Sequence, residues 1–322
     1  GSLLRATAVA GSMERTMELL VLMTMDVEPL KAVPTWTGPE TASESARTAI
    51  AYRELAATYG FPVSCFIHPE AAALHRDMFV DWHRQGASLG LHIHTTKFHF
   101  PDYRFEFGAY DADAQRAILT RGRAEWEEAL GFPCRTFRPG AFSANDVTMP
   151  VLSELGFRGG SVSIPGRIWP GRYCVWPGAE PDPHRGHAAF RLVPGELPFA
   201  NIPLSVSPSH TITRPGLEFR LDLRPTLAEP SVLEILDDII QGIAQRQPAI
   251  PVLHVVAHND QPFDDPDSAP GGRGRELLAA IAPVAERHGF TAIGATVDQI
   301  CDRVLALPAA PPTEWLADND VR

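Results

Sequence analysis

Asp26 and Glu28 form the first pair of residues whose types and spacing could do chemistry. They follow a continuous apolar run at 19–25, and their i, i+2 spacing places both side chains on one face if the extended geometry persists. Of two carboxylates so placed, one can bind a hard or borderline metal ion while the other accepts a proton from water. The alternative is a solvated pair in a loop, because an Asp-x-Glu pattern alone has low specificity.

His92 and His94 have the same i, i+2 spacing at the end of another predicted strand. Their imidazoles should point the same way and could converge on one ion, and His99 lies shortly beyond them. A single histidine is more often a core or surface residue than a ligand. Two on one strand end, in a chain where another strand ends in two carboxylates, indicate a ligand set.

Three more polar residues lie in or at the end of predicted strands. Arg138 ends a strand at 135–138, where it either reaches the same rim or forms a structural salt bridge. His258 follows the apolar strand 252–257 and is placed to act as an acid. His254 lies deeper in that strand, a position more typical of a core histidine than of a catalytic one.

Strands and helices alternate along the chain, which gives these residues a common scaffold. The run at 19–25 suits a strand buried on both faces, as in a parallel sheet. Further strands are predicted at 63–67, 87–94, 135–138, 252–257 and 290–293, and helices at 43–59, around 78–82, and at 112–130, 147–155, 231–245 and 275–288. This pattern predicts roughly seven mostly parallel strands in an α/β architecture, either a closed or distorted barrel or an open doubly wound sheet. In both architectures the chemistry belongs at the carboxyl ends of the strands.

A stretch rich in Pro, Gly, His and Trp interrupts the alternation, and its lack of periodicity predicts a long loop insertion around 160–205. Its aromatic residues Trp169, Tyr173 and Trp176 could stack on sugar rings, although buried or lid-stabilising aromatics are commoner. The apolar, Pro-rich loops could equally serve an active-site lid or a homo-oligomer interface.

Bulk composition excludes several partners. The chain has 322 residues with a formal net charge of -11 and no long Lys/Arg cluster, so neither a nucleic acid backbone nor an anionic membrane is expected to bind. No apolar run is long enough for a membrane span. The four cysteines are far apart and predict isolated buried thiols.

The expected organisation is a single domain. Residues 1–16 contain repeated Gly-Ser pairs and are interpreted as a flexible tag or leader, 17–305 as one domain, and 306–322 as a C-terminal tail. The leader is too weak for a signal peptide, so a cytoplasmic protein is the default expectation.

The order of these motifs resembles that of the polysaccharide-deacetylase (NodB-homology, carbohydrate esterase family 4-like) superfamily over roughly residues 19–303. Thr24-Met25-Asp26-Val27-Glu28 is similar to the segment that closes the first strand in that family. Gly90-Leu91-His92, Arg138-Pro139-Gly140 and Ala257-His258 resemble its later motifs, in the same order. The resemblance implies a distorted (β/α)7-type barrel and a single divalent metal ion.

The resemblance also implies roles. Asp26 is then the catalytic base, Glu28 and His92 are metal ligands, Arg138 orients Asp26, and His258 is the general acid. The family's second histidine stands four residues after the first, where this chain has Thr96. His94 is the expected replacement because it shares the strand face of His92, with His99 as the alternative ligand.

Substrate contacts are expected from four residues, namely Pro139, Gly140, Trp169 and Trp176. A mixed nitrogen and oxygen ligand set suits Zn²⁺, with Co²⁺ or Ni²⁺ as alternatives. The implied activity is hydrolysis of an N-acetyl or other N-acyl group on a sugar or glycoconjugate, a C–N bond other than a peptide bond. Two alternatives stay open, namely hydrolysis of a small amide, formamide or cyclic amide on the same fold, and a catalytically idle carbohydrate-binding barrel.

Overall fold

The computed structural model describes residues 17–97, 103–224 and 230–309. The strands are β1 Met17–Val27, β2 Val63–Ile67, β3 Leu89–Ile93, β4 Thr136–Pro139, β5 Gly159–Gly160, β6 Ile168–Trp169, β7 Cys174–Val175, β8 His184–Arg185, β9 Ala200–Asn201, β10 Val206–Arg214, β11 Leu217–Asp222, β12 Val252–His258 and β13 Phe290–Gly294. The helices are α1 Ala42–Ala57, α2 Pro69–Leu74, α3 Arg76–Arg84, α4 Ala112–Leu130, α5 Thr148–Glu154, α6 Val232–Arg246, α7 Ala269–Arg287 and α8 Val297–Ala306. The expected leader and most of the expected tail lie outside these ranges.

The main sheet is curled and mostly parallel, in the order β12-β1-β2-β3-β4-β5-β9-β8, with β13 also paired to β1. All of its pairs are parallel except β8 with β9. Helices flank this sheet, so the predicted distorted α/β barrel is confirmed. Strand β1 is paired along both edges and carries Asp26 directly opposite His258 of β12.

The two faces of β1 explain why the site forms where it does. The odd-numbered residues from Leu19 to Val27 belong to the large hydrophobic cluster. On the other face, Leu20 and Leu22 pack in a second cluster with apolar residues of α8, including Ile300 and Val304. The same face becomes polar further along the strand, because the alternation of side chains places Thr24 and Asp26 on it. One end is therefore filled with apolar side chains and the carboxyl end carries polar groups.

A second, antiparallel sheet stands beside the carboxyl ends, in the order β10-β11-β6-β7. Strands β10 and β11 form a hairpin around Pro215 and Gly216, and Gly216 takes the positive φ of 70° that such a turn requires. The predicted loop insertion at 160–205 also contains the short strands β6 to β9, which were not predicted. These strands have only two residues each, too few to give a periodic sequence signal.

Helix α7 begins six residues before the predicted start at Arg275. Ser268 caps it, accepting a hydrogen bond from the backbone of Gly271. The glycine-rich first turn suggests a loop in the sequence, but a Cβ at Gly271 would lie 1.8 Å from the carbonyl oxygen of Asp265. Close packing of the preceding loop thus requires glycine inside a helix.

The four cysteines are buried free thiols, as predicted. Among the described helices, none has the length and apolar character needed to cross a membrane.

Candidate metal centre and active-site cavity

Glu28, His92 and His94 meet at the carboxyl end of the sheet. Each of the three residues offers one ligand atom, and these atoms all lie within 4.8 Å of one another. Glu28 Oε1 is 3.1 Å from His94 Nε2 and 3.5 Å from His92 Nε2. All three residues are buried. The structure thus brings together the three predicted ligands, while His99 lies outside the described residues.

The ring of His92 has the orientation of a metal ligand. Its Nδ1 lies 3.0 Å from the backbone carbonyl oxygen of Arg138, which can only accept, so Nδ1 carries a hydrogen. In this tautomer the lone pair is on Nε2. That atom is buried and has no hydrogen-bond partner among the described residues. A buried polar nitrogen without a partner is costly, and a metal ion would satisfy it.

His94 lies between two carboxylates. Its Nδ1 is 3.3 Å from Glu106 Oε2, opposite the Nε2 that faces Glu28. Burial alone would lower the pKa of His94, but Glu28 and Glu106 outweigh it and raise the pKa to about 9. A carboxylate behind a histidine is the usual partner of a metal-ligating imidazole. Glu106 also accepts a hydrogen bond from Thr96. Thr96 occupies the position, four residues after His92, at which the resembling family has its second histidine.

Gly140 packs directly against the His94 ring. A Cβ at this position would lie 2.3 Å from His94 Cγ and Nδ1, so glycine leaves the space that the ring occupies. The next two residues, Ala141 and Phe142, have φ of 53° and 52°, which is uncommon for non-glycine residues. Pro139 and Gly140 were predicted to bind substrate. The structure buries both residues and places Ala141 and Phe142, rather than these two, in the lining of the cavity.

Glu28 is fixed through both its main chain and its carboxylate. Asn259 Oδ1 accepts from the Glu28 backbone N–H at 2.9 Å, and Asn259 Nδ2 donates to its carbonyl at 3.1 Å. Lys97 Nζ donates to Glu28 Oε2 at 2.8 Å and to Thr37. Burial would raise the pKa of Glu28, but His94 and His92 outweigh it and hold the pKa well below its usual value. Oε2 is therefore neutralised by Lys97, and Oε1 is left to face the histidines.

Asp26 is paired with a fully buried arginine. Arg138 Nη1 donates to Asp26 Oδ1 at 2.5 Å, and its Nη2 donates to Thr24 and to His254 Nε2. Its guanidinium also lies 4.3 Å from the ring centroid of Phe66. Burial would raise the pKa of Asp26, but the charge of Arg138 leads the opposing effects and the pKa is lowered. Asp26 is thus held ionised in a fixed orientation.

His254 supports that arginine. Its Nδ1–H donates to the carbonyl of Pro203 at 3.0 Å, which leaves Nε2 to accept from Arg138 at 2.8 Å. Burial, followed by the charge of Arg138, lowers the pKa of His254 to about 3. The ring is therefore neutral at physiological pH. It is a core residue, as its sequence position indicates, and one that positions Arg138.

His258 lies beside the free oxygen of Asp26. Its Nε2 is 3.9 Å from Asp26 Oδ2, too far for a hydrogen bond, and its side chain is 20% exposed toward the cavity. Burial lowers the pKa of His258, while the charge of Asp26 opposes this effect. Asp26 and His258 thus form a carboxylate–imidazole pair that an incoming molecule can reach.

A cavity of about 950 Å³ opens over both sets of residues. Trp36 and Trp169 line it, together with apolar side chains of the β10–β11 hairpin, namely Ile212, Leu217, Phe219 and Leu221. Trp176 does not line it. Its ring is fully buried and its Nε1–H donates to the carbonyl of Phe142, so neither ring face is free to stack on a substrate. Of the two predicted tryptophans, only Trp169 meets the cavity.

Three groups near the site were missed in the sequence: Lys97, Glu106 and Asn259. Asn259 directly follows His258, so its position at a strand end was the one available signal. Lys97 and Glu106 follow β3, and nothing in their spacing indicates that they contact Glu28 and His94.

Neither known protein families nor curated proteins match the sequence. Solved structures match the fold over nearly the whole chain. A protein from Mycobacterium smegmatis assigned as a polysaccharide deacetylase has a TM-score of 0.61 at 17% identity, covering 95% of this chain and 97% of its own. The chain has the fold of the polysaccharide deacetylases.

Two further structures with this deacetylase fold show its range. One from Pseudomonas aeruginosa PAO1, also assigned as a polysaccharide deacetylase, has a TM-score of 0.55 at 13% identity and covers 88% of this chain and 90% of its own. The Puue allantoinase has a TM-score of 0.58 at 12% identity and covers 90% and 91%. At these identities the likeness concerns the fold, so the activity has to be argued from the site.

Proposed function

We propose that the protein is a metal-dependent hydrolase that removes an N-acyl group from a sugar or another small amine. The single observation that carries this proposal is the buried Glu28–His92–His94 cluster, in which His92 Nε2 has no partner among the described residues, beside the Asp26–Arg138 pair. The ligand set of two imidazoles and a carboxylate suits Zn²⁺, with Co²⁺ or Ni²⁺ as alternatives. When bound there, the ion would act as a Lewis acid toward an amide carbonyl and increase the acidity of water.

Two residues beside this cluster each carry out one of the two proton transfers. Asp26, held ionised by Arg138, accepts the proton of the attacking water through Oδ2. His258 reaches the cavity from the next strand and donates a proton to the departing amine. A lowered pKa makes protonated His258 a stronger acid, which suits this step. The C–N bond breaks, and the products are a carboxylic acid and an amine.

A second candidate keeps this chemistry but limits the substrate to a small amide. The observation that favours it is the β10–β11 hairpin, whose apolar side chains form part of the cavity wall. A cavity of about 950 Å³ with such a wall is suited to a molecule of one or two rings rather than to a long polymer. The carbohydrate-binding alternative without catalysis has no comparable support, since Asp26, Arg138 and His258 are all in contact distance of their expected partners.

The test combines metal content with product release. The purified protein is stripped with a chelator and reloaded with Zn²⁺, Co²⁺ or Ni²⁺, and acetate release is measured from chitooligosaccharides and from small N-acetyl amines. We expect one bound metal ion per chain and metal-dependent acetate release. The Asp26→Asn variant should retain the metal but lose activity, whereas His92→Ala should lose both. Full activity in the metal-free protein, or in His92→Ala, would overturn the proposal.

A further inference from the structure

The second sheet carries a cluster of two arginines around one carboxylate, at the cavity wall. Asp222, at the end of β11, lies between Arg224 and Arg167, and all three line the cavity. Arg224 Nε donates to Asp222 Oδ2 at 2.6 Å, while Arg167 Nη2 is 3.7 Å from Asp222 Oδ1. Two positive charges thus share one negative charge, and the second contact is longer than a hydrogen bond.

Both arginines have N–H groups that donate no hydrogen bond to the described residues. Arg167 is only 8% exposed, and its Nε is buried with no hydrogen-bond partner among the described residues. Its guanidinium lies 4.9 Å from the ring centroid of Phe219, which fixes its plane. Arg224 uses its Nε for Asp222, and neither of its Nη groups donates to any residue in the described ranges. A buried guanidinium donor without an acceptor, as at Arg167, is costly, so an acceptor from outside the chain would stabilise it.

Three other carboxylates in or beside the cavity are already paired, whereas the exposed Arg214, which also lines it, has no ion pair among the described residues. Glu28 has Lys97, Asp26 has Arg138, and the carboxylate behind His94 has Arg172. The pair around Asp222 therefore leaves a local excess of positive charge. The whole protein carries a formal net charge of -11, so the local excess has the opposite sign to the net charge. A concave, partly apolar site of one charge sign attracts a small ligand of the opposite sign.

We propose that the substrate carries a carboxylate, which Arg167 and Arg224 bind while its amide lies at Glu28, His92 and His94. Arg167 and Arg224 line the same cavity as Asp26, Glu28, His94 and His258, so one small molecule in that cavity can contact both groups of residues. The substrate class is an N-acylated amino acid with an apolar or aromatic side chain, packed against Trp169 and Phe219. This inference rests on the proposed function for its chemistry and defines the substrate of that same site.

The test uses a matched pair of probes, N-acetylphenylalanine and its primary carboxamide, which have nearly the same shape and differ by one charge. With the metal-loaded protein we expect kcat/KM to favour the acid by about tenfold or more, as charged hydrogen bonds to arginine would give. Arg167→Gln and Arg224→Gln should remove this preference by slowing the acid alone. Arg246→Gln, which removes an exposed arginine paired with Asp182, is the matched control and should keep the preference.

Calorimetric binding separates this inference from the proposed function. If neither probe is hydrolysed, but the acid binds more tightly than the carboxamide and Arg224→Gln abolishes the difference, carboxylate binding by the arginines stands and only hydrolysis of this class of amide is overturned. The proposed function itself is decided by the metal and acetate-release test. Equal binding of the two probes, or binding of neither, overturns the inference. An equal loss of kcat/KM for both probes in Arg224→Gln also overturns it, since Arg224 would then act on the reaction rather than on the carboxylate. Arg224 is one-third exposed, so its variant should fold even if Arg167→Gln does not.

Discussion

The side chain of Asn259 holds the main chain of Glu28 from both sides, accepting from its N–H at 2.9 Å and donating to its carbonyl at 3.1 Å. The same Nδ2 also donates to Ser45 on α1 at 2.8 Å. Asn259 is fully buried and comes from the loop after β12, so it connects the carboxyl ends of two neighbouring strands. The direction of the Glu28 carboxylate therefore depends on an amide that never touches the metal position.

Asn259→Ala should weaken metal binding by about 10- to 100-fold, the range found when groups that orient metal ligands are lost. Chelator competition with Zn²⁺ measures the effect. Asn201→Ala is the matched control, because Asn201 is equally buried and also donates and accepts hydrogen bonds, but at β9. Both variants should lose stability. Unchanged metal affinity in Asn259→Ala would contradict this role.

Arg138→Lys should lower the catalytic rate while leaving metal binding nearly unchanged. The substitution removes the paired contacts to Asp26, Thr24 and His254 but keeps the backbone carbonyl that accepts from His92. We expect kcat to fall by about 10²- to 10⁴-fold with near-normal metal content, because Asp26 loses its orientation as a base. Steady-state kinetics and elemental analysis measure the two effects. Arg123→Lys, at an arginine bound to the Leu155 carbonyl, is the control, and a metal-free Arg138→Lys protein would show that the prediction is wrong.

Gly140→Ala should disturb His94 specifically. The new Cβ would lie 2.3 Å from the ring, so the imidazole must leave the position in which its Nε2 faces Glu28. We expect a loss of about 1–3 kcal/mol in the free energy of unfolding from overpacking, together with weaker metal binding. Gly131→Ala is the control, because its Cβ meets nothing within 4 Å and its positive φ affects stability alone. Equal metal affinity in the two variants would be inconsistent with a packing role for Gly140.

His184 should make the protein less stable as the pH falls. Burial lowers its pKa from about 6.5 to about 4 in the folded state, although the Asp182 carbonyl opposes this. The unfolded chain therefore binds more protons than the folded one between these values, so stability is complete above about pH 6.5 and decreases toward pH 4. The loss is about 3 kcal/mol for a shift of this size.

Urea unfolding of the wild type and of His184→Gln, between pH 7 and pH 4, measures this contribution. The difference in unfolding free energy between the two should decrease as the pH falls. The exposed His83→Gln variant should follow the wild-type curve. A difference that stays constant with pH would rule out His184 as the titrating group.

Much of the fold could be predicted because its signals are local. Helix α4 was predicted at 112–130, its bounds in the structure, since Asp111 caps its start and Gly131 takes a positive φ at its end. Helix α2 and helix α8 were missed, as was the β10–β11 hairpin. Pro208 lies within β10, where proline weakens a strand prediction, although Pro215-Gly216 was an available turn signal.

The residues of the candidate site likewise include some that local spacing predicts and some that it does not. The i, i+2 spacing was enough to pair Asp26 with Glu28 and His92 with His94 as candidates, because alternation on a strand is a local property. The choice of Glu28 over Asp26 as the metal ligand came from the family resemblance. The arginine cluster around Asp222 could not be anticipated, since it depends on β11 pairing with β6. Lys97 and Glu106 are likewise defined by how the chain after β3 folds back, which no short-range spacing records.

Strand β1 has neighbours along both edges: β12 occupies one, while β13 and β2 divide the other between residues 17–21 and 23–27. Its amide hydrogens should therefore be among the last in the molecule to exchange with solvent, because their exchange requires separation of paired strands rather than fraying of an open edge. Asp26 and Glu28 lie at the end of this strand. Destabilising substitutions far from the site should leave it intact until the whole domain unfolds, so activity and global unfolding should be lost together.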